Sequence, residues 1–172
     1  MMDQVRSLIA DVPDFPKEGI VFKDITPVLR DAAAFDAVVE AFRSRYKDAG
    51  ITAIAGIESR GFIFGTPLAL RLGCAFVPVR KPGKLPRPTH SASYALEYGE
   101  DTVHVHKEDL GDGDRVVIID DLLATGGTAA ATAEVIRKCG AKVHEIGVVI
   151  ELGFLEGRKK LTEDSVHSLL TY

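Results

Sequence analysis

The segment Val116–Gly140, VVIIDDLLATGGTAAATAEVIRKCG, decides the fold. An apolar run ends in two aspartates, a Thr-Gly-Gly-Thr turn follows, and a helical pattern continues to Gly140. A continuously apolar strand is typical of a parallel sheet with helices on both faces, and a strand that turns directly into a helix is the repeating unit of such a sheet. The segment therefore predicts an α/β fold.

The same alternation of apolar runs and helical stretches extends on both sides of this segment. We predict strands over Thr52–Ile57, Cys74–Arg80, Arg115–Asp120 and Val143–Ile150, with helices over Ser59–Leu72 and Gly127–Cys139. Near the N-terminus a helical stripe of Val5, Leu8, Ile9 and Val12 ends at Pro13. A second stripe runs from Phe35 to Tyr46, with Asp31 as its expected N-cap and Gly50 after it.

Two further segments do not follow this pattern. Val103 and Val105 alternate with His104 and His106, which predicts an edge hairpin paired with Ser93–Glu97 and a solvated face that carries the two histidines. The stretch from Lys81 to Ser93, KPGKLPRPTHSAS, has three prolines and no periodicity. Connections of this length without regular structure are often lids, so we predict a mobile lid here.

The composition predicts a single domain over residues 1–172. The chain has 46% hydrophobic residues, a formal net charge of −4 and no apolar run long enough for a membrane helix. The start of the chain lacks a signal-peptide pattern, and Cys74 and Cys139 stand singly, so we expect reduced thiols, a cytoplasmic location and no membrane partner. The acidic balance argues against nucleic acid, which usually binds basic proteins.

The turn after the two aspartates has the features of a phosphate site. Backbone N–H groups at a helix N-terminus, two glycines and two hydroxyls suit an anion, whereas the lysine of a nucleoside triphosphate loop is missing. Asp120 and Asp121 suit the vicinal hydroxyls of a sugar and lie where a substrate would carry a hard cation such as Mg²⁺. A phosphorylated sugar is the ligand that this combination predicts.

Cations gather in a different part of the chain. From Glu58 to His90 there are six Lys and Arg residues against one acid, whereas Glu100–Asp121 has eight acids against two cations. The basic region contains Ser59 and Arg60 at a predicted strand end and Arg80, Lys81 and Lys84 at the start of the predicted lid. A second anion site with more positive charge indicates a ligand with a phosphate at one end and a pyrophosphate at the other.

Five segments together resemble a known family. VVIIDDLLATGGT resembles the phosphoribosyl pyrophosphate (PRPP) motif of the type I phosphoribosyltransferases. FPKEGIVFKDITP, GIESRGFIFG, VPVRKPGKLP and SYALEYG, in this order, resemble the adenine phosphoribosyltransferases. The resemblance implies a single-domain fold with a central, mostly parallel sheet flanked by helices, an edge hairpin and a flexible lid over about residues 81–95. It also implies a homodimer and the transfer of ribose 5-phosphate from PRPP to N9 of adenine, which gives AMP and pyrophosphate.

The resemblance also implies roles for particular residues. The PRPP loop, residues 120–128, would hold the ribose through Asp120 and Asp121 and the 5′-phosphate through Ala124, Thr125, Gly126, Gly127 and Thr128. Pyrophosphate would be held by Ser59, Arg60, Arg80, Lys81 and Lys84. The N-terminal segment, residues 1–30, would form the base pocket, with adenine held by Val21, Phe22, Lys23 and Leu152. Glu97 would be the catalytic residue for proton transfer, and Mg²⁺ would be held mainly by the substrate, with no direct protein ligand.

Two positions depart from the family pattern, and two other functions stay open. Lys23 stands where many relatives have arginine, and Glu18 replaces a proline. The alternatives are a phosphoribosyltransferase for another purine, such as a 6-oxopurine, and a PRPP-sensing regulatory protein of the same fold. A PRPP synthase is disfavoured because the sequence shows no ATP site.

Overall fold

The computed structural model describes residues 1–172 and begins with a small N-terminal unit. Helix α1 (Met2–Leu8) is followed by the antiparallel strands β1 (Ala10–Pro13) and β2 (Val21–Asp24), and then by helix α2 (Thr26–Arg30). The predicted first helix is therefore too long. Val12 lies in β1 opposite Phe22, because the chain becomes extended at Ile9 and pairs with the segment that the sequence left without periodicity.

Apart from the last strand and two 3₁₀ turns, the remaining elements follow in the predicted order. They are α3 (Ala32–Tyr46), β3 (Ala53–Ile57), α4 (Arg60–Leu72), β4 (Ala75–Val79), β5 (Thr89–Ala95), β6 (Glu100–His106), β7 (Arg115–Leu123), α5 (Gly127–Lys138), β8 (Lys142–Glu151), two 3₁₀ turns (Gly153–Leu155 and Gly157–Lys160) and β9 (Val166–Thr171). Asp31 caps α3 as predicted, since its carboxylate accepts a hydrogen bond of 2.9 Å from the Ala34 N–H. The edge strand β9 was not predicted.

Five parallel strands form the central sheet in the order β4, β3, β7, β8, β9. Helices α3 and α4 cover one face and share a core with α1 and α2, centred on Phe42, Tyr46 and Phe64. Helix α5 and the β5–β6 hairpin cover the other face. The predicted α/β fold, with a central parallel sheet flanked by helices, is confirmed. No helix has both the length and the apolar character needed to cross a membrane.

The hairpin differs from three of the predictions. Val103–His106 pairs with Thr89–Ala92 and not with the predicted Ser93–Glu97. Strand β5 begins at Thr89, so the second half of the stretch predicted as an irregular lid pairs with β6 instead. The histidine face is not solvated either: His106 is buried, and its Nδ1 lies 3.0 Å from Arg87 Nη2 and 3.1 Å from Asp109 Oδ2. The physical reason is that Arg87, which lies just before β5, makes hydrogen bonds with the His106 ring and with Asp109 and so covers this end of the hairpin.

Candidate active site

A cavity of about 360 Å³ opens at the carboxyl ends of β3 and β7. In parallel sheets these ends meet at one edge, where the loops to the following helices leave space for a ligand. The residues at its wall include many of the predicted ligands, namely Ser59, Arg60, Lys81, Asp120, Asp121, Ala124, Thr125, Gly126, Gly127 and Thr128. The structure therefore brings together three segments that are far apart in the chain.

The loop between β7 and α5 forms one end of this cavity. Gly126 has a φ of 87°, a conformation that favours glycine, and an added Cβ would collide with the carbonyl oxygen of Gly157. Gly127 begins α5, so the N–H groups of the first helical turn face the loop and lack partners within the helix. This end of the cavity is neutral and rich in donors, which suits a phosphate group.

The acidic pair lies between this loop and helix α4. Asp121 is buried, and its Oδ2 lies 2.6 Å from Arg60 Nε. The Oδ1 of Asp120 accepts a hydrogen bond of 2.8 Å from the Asp121 N–H. Burial and the neighbouring Asp121 charge raise the pKa of Asp120 well above its usual range. The charge of Asp121 is thus balanced by Arg60.

A glycine on α4 makes the contact between Arg60 and Asp121 possible. A Cβ on Gly61 would lie 2.5 Å from the carbonyl oxygen of Ile119 and 3.3 Å from Asp120 Oδ1, so the helix packs directly on the backbone of β7. Gly61 was part of a quoted motif, but no sequence pattern indicated which strand it would contact.

The predicted pyrophosphate ligands separate into two groups. Ser59 and Lys81 line the cavity with Arg60, whereas Arg80 and Lys84 do not. Arg80 turns to Glu58 instead, with 2.7 Å between Nη2 and Oε1. The other Glu58 oxygen accepts a 2.7 Å hydrogen bond from the Lys81 N–H.

Glu58 is a site residue that sequence reasoning missed. Burial raises the pKa of its carboxyl, but the Lys81 N–H and Arg80 outweigh that effect, so the pKa lies below the usual range. Glu58 therefore stays charged and joins the ends of β3 and β4 at the cavity wall. The Glu58–Ser59 peptide bond is cis. In the sequence, the only sign of this role is an acidic residue before the serine of the GIESRG motif. An exposed glutamate without a role would give the same pattern.

The predicted base-binding residues lie beside the cavity and not in its wall. The Arg60 guanidinium carbon is 5.5 Å from the centre of the Phe22 ring, and Val21 next to it is half exposed. Leu152 donates a 3.0 Å backbone hydrogen bond to Leu123, which does line the cavity. Lys23 faces elsewhere: its ammonium is 2.6 Å from Asp11 and 4.1 Å from the centre of the Tyr172 ring.

Glu97 lies at the tip of the hairpin, outside the cavity wall. The Leu96 N–H donates to the Gly99 carbonyl at 2.9 Å and closes the tip. The Glu97 carboxylate is 3.4 Å from Lys17 Nζ, and both side chains are more than half exposed, at 69% and 63%. This contact places Glu97 over the N-terminal segment that carries Phe22.

A parallel sheet with a neutral phosphate loop, an acidic pair and a cationic segment at one edge is the arrangement of a phosphoribosyltransferase, and residues 25–168 match the phosphoribosyl transferase domain family. The chain is 54% identical over 174 aligned residues to an adenine phosphoribosyltransferase of Nocardioides sp.. This alignment covers 99% of this chain and 94% of that protein. The chain belongs to the adenine phosphoribosyltransferase family, as its sequence motifs predicted.

Solved structures agree with this membership. Adenine phosphoribosyltransferase from Thermoanaerobacter pseudethanolicus superposes with a TM-score of 0.96 at 50% identity and covers 100% of both chains. The enzyme from Saccharomyces cerevisiae, complexed with D-2,5-dideoxy-2,5-imino-altritol 1,6-bisphosphate and adenine, gives a TM-score of 0.95 at 42% identity and covers 98% of both chains. The predicted fold class and the predicted transferase class are confirmed.

Proposed function

We propose that this chain transfers ribose 5-phosphate from PRPP to N9 of adenine in the cavity between β3 and β7, with release of pyrophosphate and formation of AMP. The observation that carries the proposal is that one cavity wall combines a neutral donor loop, an acidic pair, and Ser59 with Lys81. These three groups suit the phosphate, ribose and pyrophosphate of PRPP. The yeast relative supports it, since its bound bisphosphate has a phosphate at each end of a sugar-like skeleton, with adenine also bound.

The loop Ala124–Thr128 would hold the 5′-phosphate through backbone N–H groups. The acidic pair would accept hydrogen bonds from the ribose hydroxyls, with Arg60 holding Asp121 in place at 2.6 Å. As the bond to pyrophosphate breaks, positive charge grows on the sugar and negative charge on the leaving group. Lys81, which is part of the cavity wall, would stabilise that negative charge in a site that is already organised.

The donor set also fits a magnesium ion that enters with the substrate. Mg²⁺ in proteins usually keeps several waters and binds substrate phosphates, and the acidic pair in the cavity wall would lie near the ion without being its direct ligand. When bound, Mg²⁺ would neutralise charge on the pyrophosphate. The roles of the chain's own residues are to orient the ribose and to hold the pyrophosphate end.

The base would lie beside the acidic pair, over the N-terminal segment. Phe22 offers a flat face next to Arg60, and Leu152 would cover the opposite face of the purine. Stacking contributes affinity but little choice among purines. We propose that backbone groups near Val21 read the 6-amino group, since a 6-oxo purine would leave them mispaired.

Glu97 would take the proton that adenine loses as N9 attacks. Its position at the hairpin tip, 3.4 Å from Lys17, puts it above the same N-terminal segment. The moving part of the lid would be the irregular chain between Lys81 and β5 together with this tip, because Thr89–Ala95 is held in the hairpin and the backbone of Lys81 is held by Glu58. Closure would exclude water and so prevent hydrolysis of PRPP.

We also propose a homodimer in the cytoplasm. Exposed apolar side chains in the N-terminal segment, among them Phe15 and Ile20, support a subunit contact, and the two free cysteines suit a reducing compartment. Sedimentation of the purified protein tests the dimer, and a single monomeric species at micromolar concentration would contradict it.

The central test mixes the protein with Mg²⁺, PRPP and adenine and measures AMP and pyrophosphate, with each component omitted in turn. We expect both products in equal amounts and only when all components are present. Hypoxanthine and guanine at the same PRPP concentration test the alternative purine, and faster turnover with either would overturn adenine as the substrate. Folded protein that forms no nucleotide from any purine would refute the transferase proposal.

The role of Glu97 has a separate test with a matched control. We expect Glu97→Gln to lower kcat by about a hundredfold, the usual size of a general-base contribution, while the KM for PRPP stays unchanged. Glu100→Gln alters another exposed acid on the same hairpin and should leave kcat unchanged. Turnover of Glu97→Gln within a few-fold of the wild-type value would show that Glu97 is not the base.

A further inference from the structure

Three side chains meet where the hairpin approaches the cavity. Lys81 Nζ donates to the Tyr94 hydroxyl at 2.7 Å and to the carboxylate of Asp101. The Tyr94 hydroxyl donates to the same Asp101 oxygen at 3.0 Å, and the other oxygen accepts the Thr102 N–H at 2.8 Å. Tyr94 and Asp101 lie directly opposite each other in the β5–β6 register, so the sheet itself holds this pair together.

The cluster is tied to the phosphate loop and to the chain just before Lys81. The Tyr94 ring lies against Gly127 in the phosphate loop, where an added Cβ would be 3.2 Å from the ring. On the other side, Arg80 and His104 exchange backbone hydrogen bonds of 3.0 and 2.8 Å, which anchors β6 to the chain just before Lys81. Of the three side chains, Lys81 alone lines the cavity.

A lysine without such partners is a poor fixed ligand. Its four-carbon side chain loses considerable rotational freedom when it is held in one conformation, so an unsupported ammonium would lose that freedom only when the substrate binds. Here the backbone N–H of Lys81 is held by Glu58, and the ammonium is held by Tyr94 and Asp101. The ordering is thus already present before a ligand arrives.

We propose that Tyr94 and Asp101 are positioning residues that hold the Lys81 ammonium at the pyrophosphate end of the cavity. The inference rests on the proposed binding of PRPP there, and it assigns a function to a tyrosine and an aspartate that do not line the cavity. The pKa shifts of the two charged side chains support this role. Burial lowers the pKa of Lys81, but the hydrogen bonds to Asp101 and Tyr94 outweigh it and raise the pKa. The hydrogen bond from Lys81 in turn lowers the pKa of Asp101. The pair is therefore ionised near neutral pH.

The test compares Asp101→Asn and Tyr94→Phe with the wild type. The Tyr94 variant keeps the ring on Gly127 and changes no charge. An effect of this variant therefore comes from the lost hydrogen bond to Lys81 and not from a change in the electrostatic potential of the site. We expect the KM for PRPP and the dissociation constant of magnesium pyrophosphate to rise about tenfold in Asp101→Asn and several-fold in Tyr94→Phe, the size of a lost hydrogen bond to a charged group. The KM for adenine and the thermal midpoint should change little.

A control variant and a repeat of the test without Lys81 show whether the effect acts through that lysine. Glu100→Gln removes the exposed acid next to Asp101 and should leave the KM for PRPP unchanged. In a Lys81→Met background, Asp101→Asn should have no further effect on pyrophosphate binding, because the residue it positions is absent. An effect of equal size in both backgrounds would show a purely structural role and overturn the proposal.

Two other results are also decisive. A lower KM for PRPP in Asp101→Asn would mean that the aspartate competes with pyrophosphate for Lys81, which contradicts positioning. If the wild type forms AMP and both variants match it, the positioning role fails while the proposed function stands. A wild-type protein that neither forms AMP nor binds magnesium pyrophosphate would contradict the proposed function as well.

Discussion

Substitution of Gly61 by alanine tests how closely helix α4 must approach β7. The new Cβ would lie 2.5 Å from the Ile119 carbonyl oxygen, whereas a carbon and an oxygen in ordinary contact are about 3.3 Å apart or more. The obstacle is backbone in the middle of the sheet, which cannot turn aside as a side chain would. The start of α4 must therefore retreat from β7 by roughly 1 Å.

The cost follows from two opposing effects. Overpacking of a well-filled interior costs roughly 1–3 kcal/mol, and the contact with backbone puts Gly61 at the upper end of that range. Alanine regains at most about 1 kcal/mol through its better helix propensity. We expect Gly61→Ala to lower the free energy of unfolding by about 2 kcal/mol, which is about 1 M in the urea midpoint.

We also expect Gly61→Ala to lower the activity. Arg60 precedes Gly61 and lies 2.6 Å from Asp121, so a retreat of the helix pulls it from the acidic pair. Displacement of an active-site group by 1 Å costs about a hundredfold in rate, and we expect a loss of this size in kcat/KM for PRPP.

The control lies one turn further along the same helix. A Cβ on Gly65 would approach the Phe76 ring at 3.0 Å, and a ring can shift by a few tenths of an ångström. Gly65→Ala should therefore change the free energy of unfolding by less than about 1 kcal/mol and leave kcat/KM nearly unchanged. Urea unfolding followed by circular dichroism and initial rates at varied PRPP are the measurements. If Gly61→Ala matches Gly65→Ala in both, close approach of α4 does not build the site.

Three further predictions concern stability, the loop and the base. Burial raises the pKa of Glu145, but the hydrogen bond from Arg45 outweighs it and helps to lower the pKa to about 2. The ionised Glu145 therefore stabilises the fold above its unfolded pKa near 4.5, and this stabilisation is lost as the pH falls toward 2. Between neutral and acid pH, the free energy of unfolding in urea should change by about 2 kcal/mol less in Glu145→Gln than in the wild type, and an equal change would refute this. Gly126→Ala should abolish PRPP binding in calorimetry, since a left-handed alanine costs about 1–2 kcal/mol and its Cβ meets Gly157; wild-type affinity would contradict that. Phe22→Ala should raise the KM for adenine about tenfold or more at unchanged KM for PRPP, and an equal rise in both would argue against stacking.

The sequence predicts the βα units well because their signals are local. Apolar residues between Val116 and Ile119 can be buried on both sides only in a covered parallel strand, and the helical pattern after Gly127 follows without a break. The acidic pair and the phosphate loop are contiguous with these elements, so their neighbourhood is also visible in the sequence. The ribbon of β1 and β2 and the edge strand β9 were missed, because short strands with mixed polarity depend on their partners.

What the sequence alone determined is therefore the class of fold, the family and the phosphate loop, since each is indicated by motifs whose own residues lie within a few positions of one another. Tertiary structure decided the partners of the charged side chains. Arg80 bonds Glu58 across 22 residues, and Lys81 bonds Asp101 across 20. Such pairs form only when the strands have the right register and α4 packs closely on β7. Neither of these features follows from the propensities of neighbouring residues.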